Sequence, residues 1–121
     1  MFLFTEHHIE LIQLGQKTQT RRVGKTWRAK VGSIHQCRTT LFGPALCHII
    51  IRRRWEERLG DISEKDAWDE GGYEANEYMF GFMEMHAKRH VNLDTVVKCY
   101  EFETFQVLTR PWPEPDEVTV P

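Results

Sequence analysis

Lys17 and Thr20 stand three residues apart in the run Gly15-Gln16-Lys17-Thr18-Gln19-Thr20-Arg21-Arg22, which packs cations, hydroxyls and amides into one short stretch. Lysine and arginine carry many donors and no acceptor, so such a cluster suits phosphate, a carboxylate or the edge of a nucleobase. It is equally compatible with a solvated basic turn. A hydroxyl beside a lysine also meets the needs of nucleophilic catalysis, in which the oxygen attacks and a neutral amine takes its proton. The lysine pKa of about 10.4 must then fall toward about 7–8, and burial or the neighbouring charges of Arg21 and Arg22 push that way. Residues three apart lie on opposite faces of a strand but on one face of a helical turn. Shared chemistry between Lys17 and Thr20 therefore predicts a turn or bulge here rather than a flat strand.

Further ligand-facing candidates are Gln19, Arg21 and Arg22, together with Ser33, His35 and Gln36 on a strand expected to run beside them. Arginine stacks on a base or grips phosphate bidentately, and glutamine reads a base edge. Arg22 also suits a structural role, because its fork of donors can pin two loops through backbone carbonyls. An acidic partner is available among Glu56, Glu57, Asp61, Glu64, Asp66, Asp69 and Glu70, and composition does not choose between them. Of the histidines, His7 and His8 are adjacent and only His86 and His90 have i,i+4 spacing, so no metal site is assigned. Without a Gly-rich phosphate loop, a G-x-S-x-G or a Cys-His signature, nucleotide hydrolysis and thiol catalysis lose their usual support, and no cofactor is expected.

The elements that must hold these residues are legible in outline. Ile9 and Ile12, flanked by Leu11 and Leu14, predict a helix over Thr5 to Leu14, stopped by Gly15. Strands are expected at Ser33–Thr40, Leu46–Trp55 and Thr95–Leu108, the last alternating Val96, Tyr100 and Phe102 against Glu101 and Glu103. The middle strand turns charged at Arg52, which predicts that it leaves the core there. Between the strands, Ser63 with Asp66 gives a capping signal for a helix from Glu64 to Glu70, ended by Gly71-Gly72. A second helix from Glu74 to about Lys88 carries Ala75, Met79, Phe82, Met83 and His86 on one stripe, read as core packing.

With 121 residues and 40% hydrophobic content, the chain has room for one core and one principal site. Residues 1–109 are read as the domain and 110–121, with Pro-Trp-Pro-Glu-Pro, as an extended or disordered tail. A net charge of −2 argues against coating nucleic acid by bulk electrostatics, leaving only local basic patches. Cys37, Cys47 and Cys99 form no C-x-x-C pair and read as reduced core thiols. No apolar run reaches the roughly 20 residues of a membrane span, and no signal-peptide pattern opens the chain, so a cytoplasmic protein without membrane contact is expected.

The apolar helix, the G-x-K-T-x-T-R-R motif and the Val31-Gly32-Ser33 step about ten residues on resemble the ASCH family of PUA-like domains, over roughly Phe4 to Phe105. The resemblance implies an α+β fold, a small mixed β-barrel with flanking helices, and binding of RNA or a modified nucleoside in a cleft on the motif. Some members of that superfamily are small amidohydrolases that remove the acetyl group of N4-acetylcytidine with a lysine, a threonine and a glutamate. Lys17 and Thr20 match the first two within K-T-x-T, and Ile62-Ser63-Glu64-Lys65 opens the helix whose end carries the third, Glu70. By that resemblance Thr20 attacks, Lys17 accepts its proton and Glu70 donates one to the leaving group. A ribonuclease activity is a weaker implication. T-R-R replaces the usual threonine, apolar residue and single arginine, and the Gly-Gly loop and longer second helix differ as well.

Overall fold

The computed structural model describes residues 1–107, so the proline-rich tail and the boundary at 109 lie outside the described residues. Thr5 caps the first helix, α1 (Glu6–Gln13), by accepting from the His8 amide, and Ile9 and Ile12 bury its inner face. Gly15 adopts φ +75°, where L side chains are strained, and its amide returns to the Ile12 carbonyl at 3.0 Å. The chain then reverses: both the Gln16 and the Lys17 amides donate to the Leu11 carbonyl. A strand begins two residues later.

Five strands make one sheet: β1 (Phe2–Leu3), β2 (Gln19–Arg22), β3 (Ile34–Arg38), β4 (Cys47–Arg58) and β5 (Val96–Val107). Their order is β1-β3-β4-β5-β2, antiparallel throughout except for the parallel β1–β3 pair. Register shifts at His48/Ile49 and Ile51/Arg53 bend the long β4–β5 ribbon, as bulges do, and the sheet curls into a half-barrel. Its two edges approach each other where the Arg22 guanidinium donates to the Leu3 carbonyl at 2.9 Å. Ile12, Ile49, Ile51, Tyr100 and Phe102, with Phe2 from the edge strand, fill the concave side. The α+β architecture, a small mixed barrel with flanking helices, is therefore present in half-barrel form.

β4 leaves the core at Arg52, as expected: no residue from Arg52 to Arg58 is buried, although the strand stays paired with β5 as far as Arg58 opposite Val96. One expectation about strands needs correction: the strand that follows Ser33 and carries Gln36 does not run beside Gln19–Arg22. β3 pairs with β1 and β4, whereas β2 pairs with β5 at the other edge. Short β1 and β2 went unpredicted because two and four residues are too few to show alternation.

Helices α2 (Glu64–Gly71) and α3 (Ala75–Met85) cover β2 and the end of the ribbon. Ser63 accepts from the Asp66 amide at 3.0 Å, the expected cap, and Gly72 at φ +82° closes α2 by donating to the Trp68 carbonyl. α3 ends at Met85, short of Lys88, and a 3₁₀ turn over Ala87–Arg89 follows. No helix among the described residues is long and apolar enough to cross a membrane. Since Ser63 fixes the start of the helix that carries Glu70, Ser63→Ala is expected to lower stability by about 1 kcal/mol, read from urea unfolding.

Candidate functional site

A cavity of about 250 Å³ opens between α1, β2, the end of α2 and α3. Lys17, Thr20, Arg21, Arg22 and Glu70 all reach its wall. Lys17 precedes β2, in the reversal after Gly15, and Thr20 lies within the strand. The bend expected between them sits just upstream of Lys17 instead, and both side chains still line one cavity.

Lys17 is 2% exposed and its Nζ donates to three acceptors: the Glu70 carbonyl at 2.6 Å, the Gln19 carbonyl at 2.8 Å and Glu70 Oε1 at 3.0 Å. Three acceptors complement the three hydrogens of an ammonium. Burial is the largest influence on this group and lowers its pKa; the charges of Arg22 and Arg21 act the same way, and the charge and hydrogen bond of Glu70 oppose them. No hydrogen bond joins Lys17 to Thr20 among the described residues. The Thr20 hydroxyl oxygen accepts from Arg22 Nε at 3.1 Å, and the Arg22 plane lies over the rings of Phe4 and Phe2, 4.9 and 5.4 Å from their centroids.

Arg21 behaves differently from a ligand-facing arginine. Its guanidinium donates to Glu70 Oε2 at 2.9 Å, to Glu57 Oε1 at 2.6 and 3.0 Å, to Asp66 Oδ2 at 3.4 Å and to Gln19 Oε1 at 2.9 Å. Gln19, fully buried, also donates to Asp66 Oδ1 at 2.9 Å and does not line the cavity. Strand alternation turns Gln19 and Arg21 toward α2 and Glu57 of β4, so that Gln19 lies behind the wall and Arg21 reaches it with its guanidinium engaged by protein acceptors. Ser33 bonds His35 and the Lys30 carbonyl, while Gln36 accepts from Arg38; neither reaches the cavity. The protein's own carboxylates and carbonyls hold Lys17 and Arg21, whereas Arg22 at the cavity wall donates to the Thr20 hydroxyl and the Leu3 carbonyl and meets no carboxylate among the described residues.

The remaining wall was not selected from sequence. His8 Nε2 lies 2.8 Å from the Tyr73 hydroxyl, and both line the cavity with Tyr78, Phe82 and His86. Burial, then the charges of Lys17, His7 and Arg22, lower the His8 pKa to about 4. Burial and the facing Glu70 carboxylate hold the Tyr78 phenol well above its ordinary pKa. His86 stacks on Phe82 at 4.2 Å and its Nδ1 meets the Phe82 carbonyl at 2.9 Å. The signal available was the α3 stripe itself, where a tyrosine, a phenylalanine and a histidine recur every four residues: apolar enough for core, polar enough for a pocket.

This architecture is that of an ASCH-like domain. Its fold matches a crystal structure of an ASCH domain from Lactobacillus crispatus JV V101, with a TM-score of 0.67 and 17% identity over 87% of this chain and 77% of that one. A DUF984 protein from Enterococcus faecalis V583 matches with a TM-score of 0.69 and 18% identity over 87% and 75% of the respective chains. No protein-family model and no curated protein matches the sequence.

Removing Arg21 strands Glu57, Asp66 and Glu70 around a buried hole, so Arg21→Ala is expected to destabilise by on the order of 3–5 kcal/mol in urea unfolding. His8 carries a depressed pKa, so its share of stability is complete above the ordinary value of 6.5 and is lost as pH falls toward about 4. Unfolding measured across that window is expected to be less pH-dependent in His8→Gln than in the wild type.

Proposed function

We propose that the cleft binds a modified nucleoside and hydrolyses its exocyclic acetyl amide, N4-acetylcytidine being the substrate implied by the resemblance. The observation that carries this reading is the convergence of Lys17, Thr20 and Glu70 on one cavity, with the lysine amine buried, lowered in pKa and 3.0 Å from the carboxylate. Engagement of Lys17 and Arg21 by protein acceptors favours an uncharged nucleoside over the phosphates of an RNA chain.

In this reaction Lys17 first passes a proton to Glu70 across their 3.0 Å contact, a step without change of net charge, and burial lowers the Lys17 pKa in that direction. The amine then takes the Thr20 proton as the oxygen attacks the acetyl carbonyl carbon. Arg22, bonded to Thr20 Oγ1, stabilises the oxygen as it becomes negative. Collapse of the tetrahedral adduct breaks the C–N bond, Glu70 gives its proton to the departing nitrogen, and the acetyl group stays on Thr20 as an ester. Water, losing a proton to Glu70, attacks the ester; acetic acid leaves, and the Lys17 ammonium returns the proton to Thr20.

The test is loss of the acetylated base, followed chromatographically. Wild type is expected to turn over, while Thr20→Ala, Lys17→Ala and Glu70→Gln each lose about a hundredfold or more in kcat. Circular dichroism checks that each variant keeps its fold. A folded wild type without turnover overturns the hydrolase and leaves a binding module, for which calorimetric titration with cytidine and with RNA, at two salt concentrations, separates nucleoside from polymer.

A further inference from the structure

The C-terminal end of α2 carries a feature that the proposed reaction does not use. Gly71 has φ +157°, and a Cβ there would lie 2.8 Å from Tyr73 Cε2 and 3.5 Å from His8 Nε2. Only a glycine lets the Tyr73 ring fold back over the end of the helix, where its amide donates to the Ala67 carbonyl at 3.3 Å. From there the hydroxyl spans to α1 and meets His8 Nε2 at 2.8 Å, with the two rings edge to face at 6.1 Å. Tyr73 packs against Tyr78 at 5.9 Å on its other side. The phenol is thus fixed from two directions at the wall of the cavity that holds Lys17, Thr20 and Glu70.

Resting on the reading above, we propose that Tyr73 is a substrate-binding, specificity-determining residue whose hydroxyl donates to the ring carbonyl of the bound base, and that His8 is its positioning residue. The hydrogen-bond inventory supports this assignment. Lys17 and Arg21 spend their hydrogens on protein acceptors, so they offer a neutral base little. A phenol has one hydrogen and two lone pairs. When the neutral His8 donates Nε2–H to the phenol oxygen, the phenol hydrogen remains free for the cavity. Burial supports neutral His8, with a pKa of about 4, and also raises the Tyr73 pKa, so both groups keep the required protons near neutral pH. A ring of nucleobase size has aromatic neighbours in Phe4 and Phe82 and a polar donor in Tyr73. That pairing selects a heterocycle with a carbonyl on its edge over an apolar ring of the same size.

Steady-state kinetics on N4-acetylcytidine with wild type, Tyr73→Phe, His8→Gln and His8→Ala test the proposal, with thermal unfolding of each variant as the check on folding. Tyr73→Phe keeps the ring and is expected to raise KM about tenfold, the value of one hydrogen bond to a neutral group, with the loss falling on KM rather than kcat. His8→Ala is expected to raise KM as well, and His8→Gln, which can still donate to the phenol, to restore most of the affinity. An unchanged KM in Tyr73→Phe, or a loss confined to kcat, overturns the assignment while leaving the hydrolase reading intact. If wild type does not turn over, the hydrolase reading falls and calorimetry with cytidine decides the Tyr73 question. Binding about tenfold weaker in Tyr73→Phe supports it; equal binding, or none to either protein, overturns it.

Discussion

Two cations share one buried carboxylate. Glu70 gives one oxygen to Lys17 and the other to Arg21, and all three side chains are almost wholly removed from water. Charges in such a place are tolerable only when every donor and acceptor is matched. That requirement dictates the surroundings: Glu57 from β4, Asp66 from α2 and Gln19 from β2 supply the remaining partners of Arg21, and two backbone carbonyls supply those of Lys17. The helix that bears Glu70 and the strand that bears Thr20 are thereby held at one distance. Cap, bulge and glycine reversal all serve that spacing.

The cluster also sorts side chains by face. Along β2, Gln19 and Arg21 turn inward to the carboxylates, whereas Thr20 and Arg22 turn toward Phe2 and Phe4 and the open cavity. One strand therefore contributes both the supports of the site and its reactive surface. Lys17, entering from the reversal before the strand, joins the two. Its amine is bound among the supports while it lines the cavity with Thr20.

Much of this was legible in the sequence where the pattern is local. The α1 period, the Ser63 cap, the Gly71-Gly72 stop and the alternation around Tyr100 all depend on neighbours a few residues away. Lys17 and Thr20 were legible as a pair, and Glu70 only through resemblance, because the carboxylate meets the lysine across 53 residues. What escaped was long-range pairing. Nothing in Ser33 or Gln36 says that β3 lies two strands away from β5, and nothing in Arg21 says that three carboxylates converge on it. The α3 stripe packs into the core as expected through Ala75, Met79, Phe82 and Met83, but Phe82 and His86 also form a pocket wall, which the stripe alone did not indicate.

The strand order has a consequence for the birth of the molecule. Both edges of the sheet, β1 and β2, come from the first 22 residues, yet Gln19 finds its partner Glu101 across 82 positions and the Thr18 carbonyl waits for the Phe102 amide. On a ribosome the motif emerges early and stays unpaired until β5 follows, with Lys17 and Arg21 in water rather than in their carboxylate cage. Such non-local closure is slow relative to helix formation. The cleft is therefore a late product of folding, acquired only when nearly all of the described chain is free to close upon itself.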